Sequence, residues 1–171
     1  MDSIPDKTLF LQRIQENRRI IFKICNTYCQ QAYDREDLAQ DIICHLWKSA
    51  PQYDPSGKFT TWMYRVALNV AISFYRRGKR NRQLVPVTEQ LIEMEADADN
   101  NTEIEDHLAL LQQLINGFNE LDKALMLLYL EERSYREIAD ILGISETNVA
   151  TKINRLKSRL KQHFSSIQKA L

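Results

Sequence analysis

With 171 residues the chain has room for one domain or two small ones, and 44% hydrophobic content is ample for helical cores. Its formal net charge of zero hides a segregation: residues 1–82 carry 14 basic and 8 acidic side chains, 83–108 carry 0 and 8, and 109–171 carry 9 and 7. No apolar run approaches the roughly 18 residues of a membrane span, which argues against membrane insertion, and Met1 to Asp6 lacks a charged start and hydrophobic signal region, so a cytoplasmic protein is expected.

Glycine and proline number four each, and apolar residues recur at spacings of three and four, so the expected fold is all-α without sheet. In the first long segment Phe10, Ile14, Ile21, Ile24, Cys25 and Tyr28 share one face, which is a core. The three cysteines, Cys25, Cys29 and Cys44, are an odd count with no export signal, so free thiols are expected. Cys25 and Cys29, one turn apart, with Cys44 and His45 raise the alternative of a metal or redox site. Cys25 shares the apolar face, however, and Cys44 and His45 diverge by about 100° around a helix. No metal, cofactor or catalytic constellation is expected.

Asp34 begins a second helix with a capping arrangement to Asp37, and Leu38, Ala39, Ile42, Ile43 and Leu46 form its buried stripe. Its outer side carries Asp37, Gln40, Asp41, Cys44 and Lys48. The stretch Pro51 to Lys58 is dense in turn formers and reads as a loop, after which Thr60 or Thr61 caps a third helix running to about Arg80. Met63, Val66, Ala67, Val70 and Phe74 make its core stripe, while Trp62, Arg65, Asn69, Ser73, Arg76 and Arg80 line a different face. An indole among guanidinium and amide groups suits unstacked bases and a phosphate backbone. The alternative places Trp62 in the core and the arginines in solvent. Tyr64 and Tyr75 fall well away from that face and read as packing residues.

Eight carboxylates and no cation between Gln83 and Leu108 mark a linker or a fraying helix. Leu108 to Phe118 and Leu121 to Glu131 then supply two apolar helices. Ser134 to Ser145 followed by a basic helix from Glu146 to Lys161 reads as a helix-turn-helix. Ser134 caps its first helix with Glu137 three residues on, Gly143 ends it, and Ser145 caps the second. Val149, Ile153, Leu156 and Leu160 face a core. Thr147, Thr151, Asn154, Arg155 and Ser158 lie opposite, flanked by Asn148, Lys152 and Arg159, a mixture suited to base edges and phosphates.

Asp37-Leu38-Ala39-Gln40-Asp41-Ile42 with Leu46-Trp47, then Phe59 to Asn69, then the C-terminal motif, resembles the extracytoplasmic-function (group IV) sigma factors of bacterial RNA polymerase, within the sigma-70 family. The resemblance covers nearly the whole chain. It implies two small helical domains, an N-terminal helical bundle over residues 1–82 and a C-terminal helix-turn-helix domain over 108–171, joined by an acidic linker over 83–107. Implied partners are core RNA polymerase (β′ and β subunits), promoter DNA both double-stranded and melted, and an anti-sigma factor. Asp37, Gln40 and Asp41 would dock on the polymerase β′ coiled coil, although a plain solvated face is the rival reading. Trp62, Arg65, Asn69, Ser73 and Arg76 would line the path of the opened −10 strand. Arg136, Ser145, Thr147, Asn148, Thr151, Lys152, Arg155 and Arg159 would meet the −35 duplex. Family members usually carry glycine at the position of Thr147, lysine at Ala150 and serine-arginine at Thr151-Lys152, departures that bear on the promoter sequence read. The linker would mimic an RNA backbone or serve as a plain tether. A free-standing regulator that binds duplex sites without polymerase is the alternative function, and it leaves the Trp62 and Asp37 faces unused.

Overall fold

The computed structural model describes residues 6–82 and 103–170, and every regular element within them is helical. The N-terminal half holds α1 (Lys7–Glu16), α2 (Arg18–Tyr28), α3 (Ala32–Ser49) with a single 3-10 turn at Ala50–Gln52, and α4 (Phe59–Arg82). The C-terminal half holds α5 (Glu103–Asn116), α6 (Glu120–Leu130), α7 (Tyr135–Leu142) and α8 (Glu146–Ala170). Residues 83–102, most of the expected linker, lie outside the described residues. α5 begins at Glu103 and so takes in the last residues of the acidic segment.

The first apolar face is split between two helices. Asn17 interrupts them because its side-chain amide and its backbone N–H both turn back to the Arg13 carbonyl, at 2.9 and 3.2 Å, a local bond that competes with helix propagation. Phe10, Ile14, Ile21, Ile24, Cys25 and Tyr28 are nonetheless all buried, as expected. α3 starts two residues before Asp34, at Ala32, behind a Gln31 cap that makes no side-chain hydrogen bond. Asp34 lies instead in the first turn, where a carboxylate faces the positive end of the helix dipole. Leu38, Ile42 and Leu46 are fully buried, whereas Ile43, expected beside them, is 44% exposed. α4 begins at Phe59, two or three residues earlier than a Thr60 or Thr61 cap would allow, with Trp62 N–H bonded to the Lys58 carbonyl at 3.2 Å.

Met63, Tyr64, Ala67, Leu68 and Val70 bury one side of α4 against α2 and α3. In the C-terminal half Leu125, Leu128, Ile138, Val149, Ile153 and Leu156 are buried in turn. At about 1.5–3 kcal/mol for each large apolar side chain removed from water, these stripes supply the main cohesion of the halves. Among the described residues Lys123 is the buried cation of the core: its ammonium donates to the Ile115 and Asn116 carbonyls at 3.2 and 3.0 Å, capping the negative end of α5. The same ammonium lies 5.4 Å from the centre of the Tyr75 ring on α4.

The two halves also pack on each other. α2 and α4 meet α6, α4 meets α7, and the buried side chains form one continuous cluster. Tyr28, at the end of α2, donates its hydroxyl to the Glu120 carbonyl at 2.6 Å, and burial pushes that phenol well above its ordinary range.

Candidate nucleic-acid interface

The helix-turn-helix forms from its capping residues upward. Ser134 Oγ accepts the Glu137 N–H at 3.1 Å while the Glu137 carboxylate accepts the Ser134 N–H at 3.2 Å, a reciprocal capping box that fixes the start of α7. Gly143 takes φ 69°, and its N–H and that of Ile144 both reach the Ala139 carbonyl, at 2.9 and 3.2 Å. Ser145 Oγ then accepts the Asn148 N–H at 3.1 Å, starting α8. With Val149, Ile153 and Leu156 buried, Thr147, Asn148, Thr151, Asn154, Arg155 and Ser158 stand exposed on the opposite side, and Lys152 is half-buried. Thr151 spends its hydroxyl on the Thr147 carbonyl, 2.9 Å away, which leaves an acceptor oxygen and a methyl outward. Arg159 is exposed as well, but it is engaged within the chain: its guanidinium lies 5.0 Å from the centre of the Phe118 ring and 3.8 Å from Asp122.

The second candidate face runs along α4. Arg65, Asn69, Ser73 and Arg76 are exposed along it. Trp62 differs: it is half-buried in an aromatic cluster, 5.7 Å from Phe10, 5.2 Å from Tyr53 and 5.5 Å from Phe59 between ring centres. The indole therefore joins the core of the bundle to its surface rather than standing free. The preceding loop is stitched to itself by the Ser56 N–H on Asp54 Oδ1 at 2.9 Å, the Gly57 N–H on the Asp54 carbonyl at 3.1 Å, and the Tyr53 hydroxyl on the Gly57 carbonyl at 3.2 Å. The first of these holds the Asp54 carboxyl below its ordinary value. Tyr64 is buried and Tyr75 packs partly against the core, consistent with packing roles.

On α3, Asp37 and Gln40 are exposed and Asp41 is half-exposed with Arg77 at 3.6 Å. Trp47, 39% exposed, and Ile43 border this acidic strip with apolar surface. Sequence reasoning assigned Ile43 to the core, because one helix face of α3 carries both it and the buried stripe within the width that periodicity tolerates. Cys25 and Cys29 face the core, with burial pushing the Cys25 thiol up to about 12, and Cys44 faces solvent. His45 Nδ1 lies 2.8 Å from the Asp41 carbonyl. Among the described residues no three His, Cys, Asp or Glu side chains are grouped to hold a metal ion, and no helix is long and apolar enough to cross a membrane.

A cleft of about 760 Å³ separates the α4 face from α7, lined by Tyr53, Lys58, Trp62 and Arg65 on one wall and Arg136 and Glu137 on the other. Lys58 pairs with Glu137 at 3.1 Å, Arg65 donates Nε and Nη2 to the Asp140 carbonyl at 3.3 and 2.9 Å, and Arg76 pairs with Glu120 at 2.7 Å. Hydrogen bonds from Arg76 and Lys58 hold the Glu120 and Glu137 carboxyls below the usual carboxylate range.

Residues 13–81 match sigma-70 region 2, and residues 108–160 match sigma-70 region 4. Together these matches define a sigma factor of the sigma-70 type. The chain is 26% identical to the ECF RNA polymerase sigma factor SigW of Bacillus subtilis (strain 168), over 95% of this chain and 92% of that one. To the ECF RNA polymerase sigma factor SigM of the same organism it is 30% identical, over 76% of this chain and 79% of that one. It belongs to the extracytoplasmic-function sigma factors of RNA polymerase. Two solved structures share the fold with a TM-score of 0.68 and 17% identity: CnrH in complex with the cytosolic domain of CnrY, covering 95% of this chain and 91% of that one, and the sigma factor RpoE in complex with the anti-sigma factor NepR from Bartonella quintana, covering 91% and 96%.

Proposed function

We propose that this sigma factor divides promoter recognition between its halves, with residues 1–82 and 108–171 as the working domains and 83–107 as an acidic tether. α8 reads the −35 duplex through Thr147, Asn148, Thr151, Lys152 and Arg155, with the Ser145 turn and Arg136 on the phosphate backbone. The observation that carries this reading is the capped start of α8 with Val149, Ile153 and Leu156 buried behind an exposed row of amide, hydroxyl and guanidinium groups. Arg159, engaged with Phe118 and Asp122, acts at the edge of that surface. The α4 face takes the melted −10 strand: Arg65 and Arg76 supply cations, Asn69 and Ser73 supply hydrogen bonds, and Trp62 offers the exposed part of its ring. Stacking at about 1–3 kcal/mol per base offsets the few kcal/mol of unstacking, so melting is driven by binding energy without a catalytic residue.

Asp37, Gln40 and Asp41 dock on a basic surface of core polymerase, the β′ coiled coil, with Trp47 and Ile43 adding the apolar contact that an interface centre favours. CnrH and the Bartonella quintana RpoE were each solved with a binding partner, in the second case a named anti-sigma factor, which supports an anti-sigma protein as a further partner. The site of action is the cytoplasm, where polymerase and DNA meet.

Run-off transcription with purified core polymerase on genomic fragments tests the reading, and absence of any transcript rejects it. In the same assay Asn69→Ala should reduce permanganate-detected opening while leaving upstream protection intact, and Arg155→Ala should weaken upstream protection first. Equal effects on both steps would refute the division of labour.

A further inference from the structure

Thr151 stands at the middle of the outward face of α8. It lies two positions from Val149 and two from Ile153, both wholly buried, and at about 100° per residue that puts it opposite their shared side. Its hydroxyl is committed: Oγ1 donates to the Thr147 carbonyl at 2.9 Å, a back-bond that fixes the rotamer of a helical threonine. A hydroxyl has one proton to donate and two lone pairs to accept with. With that proton held inside the helix, Thr151 shows a partner an oxygen that can only accept and, beside it, a methyl group. Asn148 and Arg155, longer and both exposed, flank it three positions before and four after. They can hold a base edge from either side while the short Thr151 side chain meets it closely.

Major-groove edges differ in what they offer such a group. Guanine presents two acceptors, N7 and O6, to an oxygen that has no proton to give, and acceptors left unpaired away from water are costly. Adenine and cytosine present an amino group, which the oxygen can accept from. Thymine alone presents a 5-methyl group, and two methyl groups in contact are both removed from water. We infer that Thr151 fixes one position of the −35 element as thymine, read through its 5-methyl group, and excludes guanine there. The inference deepens, and rests on, the assignment of α8 to the −35 duplex given above. A serine in this place would make the same bond to the Thr147 carbonyl and lack the methyl, so the preference belongs to the threonine.

The holoenzyme of core polymerase and the full-length chain tests this on a promoter found by run-off transcription. Each thymine of the protected upstream region, on either strand, is replaced in turn by deoxyuridine, which keeps base pairing and removes only a methyl group. One such replacement should weaken promoter binding about fourfold, the effect of returning one methyl group to water, and guanine at that position should be the worst of the four bases. The Thr151→Ser holoenzyme should bind the thymine and deoxyuridine promoters equally, whereas Thr151→Val, which keeps the methyl, should still prefer thymine. The inference is overturned by the absence of any sensitive thymine, by guanine bound as well as thymine, by a thymine preference undiminished in Thr151→Ser, or by its loss in Thr151→Val. Arg155→Ala in parallel distinguishes the failures. Weakened upstream binding in that variant with no thymine effect rejects the methyl reading alone, and unchanged upstream binding in both Arg155→Ala and Thr151→Ser rejects the assignment of α8 beneath it.

Discussion

Gly143 shows how one residue can set the angle between two helices. At φ 69° an L side chain costs about 1–2 kcal/mol, and a Cβ added there would meet nothing within 4 Å, so the penalty of Gly143→Ala is backbone strain alone. Urea denaturation of that variant should show a loss of about 1–2 kcal/mol, and a loss of only a few tenths would mean the turn relaxes to another conformation. Such punctuation is readable from sequence because it is local: Ser134, Glu137, Gly143 and Ser145 act within four residues of themselves. Trp62 is the opposite case. Its spacing places it on the strand-facing side of α4, yet Phe10 on α1, Tyr53 in the preceding loop and Phe59 one turn earlier on α4 itself draw the indole partly inward. Asn69, exposed on the same helix, is consequently the cleaner probe of strand binding.

Among the elements, α8 carries two jobs on opposite faces, and they can be separated. Ile153 is wholly buried, so Ile153→Ala should cost about 2–5 kcal/mol of stability through lost burial and a residual cavity. Asn154→Ala, on the exposed side, should change stability by less than about 0.5 kcal/mol. Thermal unfolding of the two variants checks the contrast, and comparable losses would show that the exposed row is structural. Periodicity gave this helix its faces correctly because its stripe is narrow and regular. It failed on α3, where Ile43 borders the buried stripe but points past the edge of the bundle, and at Asn17, where a side-chain bond to Arg13 splits one apolar face between two helices.

On the scale of the whole molecule, the apolar contact between halves is supplemented by carboxylates that are more acidic in the folded chain than their ordinary 4.5. Arg76 and Lys79 face Glu120, and Lys58 and Arg133 face Glu137, so every neighbour named is a cation that stays charged in acid. A lowered folded value means the pairing contributes fully above the unfolded value and is lost as pH falls through the folded one. The halves should hold their separation from neutral pH to about pH 5 and part only beneath the ordinary carboxylate range. Small-angle scattering across that range measures it, and parting at neutral pH and low salt would show that these pairs do not close the molecule.

Helical class, the buried stripes of α2, α4 and α8, the capped helix-turn-helix and the split of charge into two cationic ends all follow from residues near one another along the chain. Hydrophobic period and capping chemistry act over one or two turns and leave their mark in the order of residues. The docking of α6 and α7 on α4, the aromatic cluster around Trp62 and the capture of Arg65 by the Asp140 carbonyl were decided only in three dimensions. Arg65 and Asp140 stand 75 positions apart. Charge alone does not choose which of many carboxylates and carbonyls a distant arginine meets; the packing of the helices between them does.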